Sequence, residues 1–130
     1  MINEDLTGQI IGAAISVHRS LGPGFLESVY EEALAVEFDT LGIKHERQKP
    51  VPIFYRGRKV GEHRLDLLVE KRVVVELKAV IALGKIFFAI ARSYLKATNL
   101  ESGLLFNFAA MPLTIKRIAP EDLNYLVSDS

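Results

Sequence analysis

Cysteine is absent from the 130 residues, which excludes disulfides and thiolate metal sites and fits a reducing cytoplasm. Excess charge is absent as well. The 16 Lys and Arg balance 16 Asp and Glu, a formal net charge of zero, so attraction to a polyanion would have to come from local arrangement rather than from the total. No uninterrupted apolar run approaches the ~20 residues of a bilayer span. The acidic start Met1-Ile2-Asn3-Glu4-Asp5 lacks the basic head and apolar core of a secretory signal. The expectation is a cytoplasmic protein that meets no membrane. There is no internal repeat, low-complexity tract, Ser- or Pro-rich linker, zinc-ligand cluster, phosphate-cradling glycine loop with lysine, or Ser-His-Asp nucleophile. What is present, 49% hydrophobic and 25% charged, suits one domain over residues 1–130 with a substantial core.

Against that background, charge inside apolar segments stands out. Arg64-Leu65-Asp66-Leu67-Leu68-Val69 and Val73-Val74-Val75-Glu76-Leu77-Lys78-Ala79 are rich in Leu and Val and are separated by Glu70-Lys71-Arg72. The pattern predicts two adjacent antiparallel strands and a tight loop. With those three residues as the loop, Asp66 falls opposite Glu76, and Lys78, two residues on, shares the face of Glu76. Two opposed carboxylates repel. A hard cation such as Mg2+ would remove the repulsion, and a lysine beside it could orient a water or hold a phosphate oxygen.

The remaining elements follow from periodicity. Thr7 is expected to cap a first helix to about Arg19, broken by Leu21-Gly22-Pro23-Gly24. A second helix is expected from about Phe25 to Thr40, ending at Gly42, with Leu26, Val29, Tyr30, Ala33, Leu34 and Phe38 inward. Strands are expected near Val51–Tyr55, Lys59–Val69 and Arg72–Val80, the Val-rich third being central. A helix that Gly84 precedes, running to about Ala97, strands at Leu104–Phe108 and Leu113–Ile118, and a short helix over Glu121 to Leu126 complete an α-α-β-β-β-α-β-β order.

Each singled-out residue also has a plainer reading. Glu76 and Lys78 would make an ordinary exposed salt-bridge pair two apart on a strand, worth under ~1 kcal/mol; their apolar neighbours argue for a site instead, because unpaired buried charge is costly. Glu27 would favour the first turn of the second helix whatever else it did. Tyr30 reads as a core aromatic with its hydroxyl satisfied, and His18 as a packed, hydrogen-bonded histidine on the apolar side of the first helix.

Gly24-Phe25-Leu26-Glu27-Ser28-Val29-Tyr30, taken with Asp66 and Glu76-Leu77-Lys78, gives the chain a family likeness. It resembles the GxxExxY proteins, a family within the PD-(D/E)xK nuclease superfamily. The likeness runs from Ile10-Ile11-Gly12-Ala13-Ala14 through Val17-His18 and Leu21-Gly22-Pro23-Gly24 to Tyr94-Leu95-Lys96-Ala97-Thr98, Gly103 to Phe108, and Ile115 to Ile118. The resemblance implies an α/β, restriction-endonuclease-like core, a mixed central sheet flanked by helices. It further implies hydrolysis of phosphodiester bonds in nucleic acid, DNA rather than RNA, with Mg2+ or Mn2+ as cofactor. By that resemblance Asp66, Glu76, the Leu77 carbonyl and Glu27 would hold the metal, and Lys78 would position or activate the attacking water. The four side chains Glu27, Asp66, Glu76 and Lys78 sum to −2 if all are ionised, so without metal the carboxylate pKa values should rise.

One position departs from the family pattern. Four residues before Tyr94, where relatives commonly carry a glutamine facing the site, this chain has Ile90, in the apolar run Lys85-Ile86-Phe87-Phe88-Ala89-Ile90-Ala91. The alternative expectation is a catalytically inactive module that keeps the fold and binds nucleic acid or a protein partner. A homodimer through that helix is a further expectation. Lys44, His45, Arg47, Lys49, Arg56, Arg58 and Lys59, with Phe54 and Tyr55 among them, could follow a phosphate backbone. Arg56, Arg58, Lys59 and Tyr30 are the candidate substrate contacts. The competing reading of the basic stretch is an edge strand protected by charge, with its aromatics packed inward.

Overall fold

Three consecutive valines set the centre of the molecule. In the computed structural model, which describes residues 3–120, Val73–Lys78 forms the middle strand of a five-stranded sheet. The chain runs α1 (Glu4–Leu21), α2 (Glu27–Leu41), β1 (His45–Tyr55), β2 (Arg58–Val69), β3 (Val73–Lys78), α3 (Lys85–Thr98), β4 (Ser102–Asn107) and β5 (Thr114–Ile118). Spatial order equals chain order, β1-β2-β3-β4-β5. All neighbours are antiparallel except β3 and β4, which are parallel and are joined through α3. The sheet is therefore mixed, and helices cover both faces.

Alternation along β3 assigns those faces. Val73, Val75 and Leu77 pack with Ile10, Val17, Tyr30, Leu34 and Phe38 from α1 and α2. Val74 points the other way, toward Ala91 and Leu95 of α3. Each fully buried Leu or Val side chain contributes roughly 1.5–3 kcal/mol, so the two-sided burial of β3 fixes its register firmly.

Several expected boundaries shift, for visible reasons. The first helix starts at Glu4, so Thr7 is not its cap: the Thr7 hydroxyl lies inside the helix and donates to the Glu4 carbonyl at 3.1 Å. The second helix starts at Glu27, and Leu26 and Val29, expected inward, are exposed, whereas Tyr30, Leu34 and Phe38 are buried. β1 starts at His45 rather than Val51, because its charged first half is an edge strand whose side chains pair off. Arg47 reaches Glu31 and Glu32 at 3.0 and 2.7 Å, and Lys49 reaches Glu46 at 3.1 Å. His18 is buried against Phe108, but its Nε2 has no hydrogen-bond partner among the described residues. The expected helix over Glu121 to Leu126 lies outside the described residues.

Candidate metal centre

The hairpin of β2 and β3 pairs Val69 with Val73, Leu68 with Val74 and Leu67 with Val75. The next step in that register opposes Asp66 and Glu76, and there the backbone ladder gives way to side chains. The Asp66 amide donates to Glu76 Oε1 at 3.1 Å, and the Leu77 amide donates to Asp66 Oδ2 at 2.9 Å. Beyond this point β2 pairs only with β1, so the sheet forks at the two carboxylates. The acids satisfy backbone donors that the divergence of the strands would otherwise leave open. Gln48, opposite Asp66 on β1, takes a positive φ of 50° and sets its Nε2 3.5 Å from Asp66 Oδ1.

Burial controls the electrostatics. Glu76 is 4% exposed, and desolvation followed by the charge of Asp66 pushes its pKa up to about 9. Desolvation also raises Asp66. The two carboxyls share a hydrogen bond and titrate as a unit, and near neutrality Glu76 keeps its proton. Lys78 lies beyond Glu76 with its ammonium 5.2 Å from the centre of the Phe87 ring on α3, and its charge favours the ionised form of both acids. Tyr94, also on α3, has its pKa raised to about 12 by burial and then by the charges of Glu76 and Asp66. Ile90, half-buried, lies on the flank of α3 one turn before Tyr94 and one turn after Phe87.

The donor set suits a hard cation. Two carboxylates face each other in a buried setting that disfavours their joint ionisation, and each uses one oxygen on a backbone amide while the other stays free of backbone donors. Mg2+ commonly takes one or two carboxylates and keeps several waters, so this pair and a neighbouring backbone carbonyl are enough. Among the described residues no group of three or more His, Cys, Asp or Glu forms a metal cluster. Glu27, at the first position of α2, accepts a hydrogen bond from the Ala79 amide at 3.2 Å, next to Lys78.

The glycine-to-tyrosine stretch has a local physical logic. Gly24 has φ 111°, a conformation costly for other residues, and lets the chain turn into α2. The Tyr30 hydroxyl donates to the Gly22 carbonyl at 2.6 Å and accepts from the Phe25 amide at 3.2 Å, while its ring stacks on Phe108 at 4.4 Å. Tyr30 is fully buried and its hydroxyl is engaged, which corrects the expectation that it contacts substrate. Its part is to pin the loop that aims Glu27 at the end of β3.

Four further residues build the site. Glu31, 8% exposed, accepts from Gln48 Nε2 at 2.6 Å and Arg47 Nε at 3.0 Å, and its charge helps to raise Asp66. Asn107, at the end of β4, holds Val80 from both sides: its Oδ1 accepts from the Val80 amide at 3.1 Å and its Nδ2 donates to the Val80 carbonyl at 2.9 Å. Gln48 and Tyr94 complete the set. The i,i+4 spacing of Glu27 and Glu31 was the one available signal for Glu31. Arg56, Arg58 and Lys59 stand at the far tip of the β1–β2 hairpin, Lys59 being seven residues, roughly 24 Å of strand, from Asp66. Phe54 and Tyr55 beside them are 62% and 64% exposed, so the aromatics are not packed inward although β1 is an edge strand.

Comparisons with known proteins agree with this architecture. No curated protein matches the chain. A solved structure described as the crystal structure of SSO0001 superposes with a TM-score of 0.59 at 18% identity, over 78% of this chain and 54% of that one. The likeness is one of fold, and this chain spans about half the length of that protein. Residues 4–118 match the family profile of the PD-(D/E)XK nuclease superfamily. That match takes in α1, the forked hairpin with Asp66 and Glu76-Leu77-Lys78, and both final strands, and the chain therefore belongs to the PD-(D/E)XK nuclease superfamily.

Proposed function

We propose that the protein is a Mg2+- or Mn2+-dependent nuclease of the GxxExxY type that hydrolyses phosphodiester bonds, in DNA rather than RNA. The observation that carries this reading is the fork, where Asp66 and Glu76 replace the backbone ladder with two opposed, buried carboxyls. Asp66, Glu76 and the Leu77 carbonyl would hold the cation, with Glu27 close to the end of β3. When bound, the ion supplies Lewis-acid polarisation of the scissile phosphate and acidification of water. Lys78 holds the attacking water and offsets the charge that develops on the phosphoryl oxygens; a bond forms from water oxygen to phosphorus as an ester bond to phosphorus breaks. Glu31 and Gln48 orient Asp66, and Asn107 fixes the backbone that follows Lys78. A cytoplasmic location and a homodimer through α3, whose Ile86 is 62% exposed, belong to the same reading.

A second reading is favoured by one residue. Ile90 puts an apolar side chain on the flank of α3 shared by Phe87 and Tyr94, which suits a nuclease-like module that binds nucleic acid or a protein without turnover. Incubation of the purified protein with single-stranded, duplex and branched DNA and RNA in Mg2+ or Mn2+ separates the two. The nuclease reading expects cleavage that disappears in both Asp66→Ala and Lys78→Ala proteins. Cleavage surviving in either variant assigns it to another source, and wild-type protein that binds nucleic acid but cuts none of these substrates supports the inactive module.

A further inference from the structure

Past the fork, β1 and β2 continue as a two-stranded arm, from the pair Lys49 and Leu65 to the pair Tyr55 and Arg58, with a bulge between Ile53 and Phe54. α3 lies against one side of this arm and borders a half-open cleft of about 410 Å³, lined by Pro52, Ile53, Phe54, His63, Ser93 and Lys96. The cleft is absent from the chemistry assigned above. Its walls differ in kind: a bare phenyl ring on the arm, a lysine on the helix, and a polar pair between them.

The polar pair has a defined hydrogen-bond sense. Ser93 Oγ donates to the Ile90 carbonyl at 2.6 Å, so His63 Nε2, 3.0 Å from the same oxygen, acts as the donor to it. A serine whose proton is engaged with a carbonyl is not set up as a nucleophile, which argues against covalent chemistry at this pair. The His63 ring also meets Tyr94 edge-on at 4.3 Å, and Tyr94 senses the charges of Glu76 and Asp66. Tyr94 thus borders the cleft through His63 and lies within the electrostatic reach of the carboxylates.

We propose that this cleft seats one unpaired nucleotide of a single-stranded nucleic acid, its base stacked on Phe54 and its phosphate met by Lys96. Three observations support that occupant. First, the volume is in the range of small-ligand sites and accommodates a nucleotide but not a double helix. Second, Phe54 is 62% exposed, and a ring so presented can stack only on a base whose face is free, which the interior of a duplex does not offer. Third, the arm that continues from the cleft is positively charged. Arg56 lies 5.6 Å over the Tyr55 ring, Arg58 starts β2, and of the three tip cations Lys59 is paired, with Glu62 at 3.3 Å. A polyanion arriving along the arm meets net positive charge before it reaches the cleft.

This deepens the nuclease reading by naming a single-stranded substrate, and it rests on that reading only for the direction in which the strand would run toward Asp66 and Glu76. The test is fluorescence anisotropy with the full chain in EDTA, using a fluorescein-labelled oligothymidine and a blunt duplex of equal length. The wild type is expected to bind the single strand more tightly than the duplex. Phe54→Ala should weaken single-strand binding about tenfold while leaving duplex binding unchanged, and Phe54→Trp should restore it. Lys96→Ala should lower the slope of log affinity against log salt by about 0.7 for the single strand. Equal wild-type affinities for the two ligands, no measurable single-strand binding, or unchanged binding in Phe54→Ala would overturn the proposal. Because no metal is present, loss of cleavage elsewhere leaves this result intact, and the failures of the two readings are distinguishable.

Discussion

Leu77 and its two neighbours on β3 make the sharpest contrast in the molecule. Leu77 points into the apolar layer under α1 and α2, where it is 1% exposed among Tyr30, Phe106 and Phe108. Glu76 and Lys78 point to the other face, where burial meets charge. One strand therefore buries apolar side chains on both faces but carries charge on only one, and a shift of one residue would move that charge into the layer under α1 and α2. The difference teaches that stability and activity should come apart under single substitutions at adjacent positions.

The largest expected effect is on the closed side. Leu77→Ala should lose about 2–5 kcal/mol of unfolding free energy by leaving a cavity, measured by urea denaturation, while the metal affinity of the folded fraction stays unchanged because the backbone carbonyl remains. On the open side, Lys78→Ala should lower the cleavage rate by about 10²–10³, the scale for removing one preorganised electrostatic donor, with a much smaller change in stability. A Lys78→Ala protein that unfolds as readily as Leu77→Ala would erase the contrast.

The next effect has the opposite sign. In metal-free protein, Glu76→Gln should raise stability by about 1–2 kcal/mol near pH 8, since the amide is neutral in both states and needs no bound proton to stay buried. Folded Glu76 keeps its proton to about pH 9, whereas unfolded Glu76 loses it near its ordinary value of 4.5. Between those limits the folded state holds more protons, so the stability of the wild type, complete below pH 4.5, should decline as pH rises through about 9. Thermal melts in EDTA across that window should slope downward for the wild type and flatten in Glu76→Gln. The smallest effect is at Glu27: Glu27→Ala removes the bond to the Ala79 amide and should cost about 0.5–1 kcal/mol in the same melts.

Much of this arrangement was legible in the sequence, and the exceptions are instructive. Leu and Val on either side of Glu70-Lys71-Arg72 defined the β2–β3 hairpin and its register, because a three-residue loop leaves one pairing that buries Leu67, Val73 and Val75 together. Alternation then placed Glu76 and Lys78 on one face. The fork itself was not legible: nothing in Asp66 alone says that its amide would bond to a side chain instead of a carbonyl. Glu31 and Gln48 lie 17 positions apart and meet only through the packing of α2 beside β1, a contact that local periodicity does not encode. β1 starts at His45, ahead of the expected Val51, because the charged residues from His45 to Pro50 become strand only when Glu31, Glu32 and the partner strand β2 absorb their polar groups. The exposure of Phe54 and Tyr55 reverses the usual inward expectation for aromatics on a strand, since the arm extends past the rest of the sheet.

The central claim is that Asp66 and Glu76 form one cation site at the fork. Its most direct test is calorimetric titration of Mn2+ into the wild type and Glu76→Gln at pH 8, repeated in buffers of different ionisation enthalpy. The account predicts one Mn2+ per chain with release of about one proton, because the proton held by the carboxyl pair must leave as the metal binds, and loss of both signals in Glu76→Gln. Absence of Mn2+ binding by the wild type, or equal binding by Glu76→Gln, would contradict it.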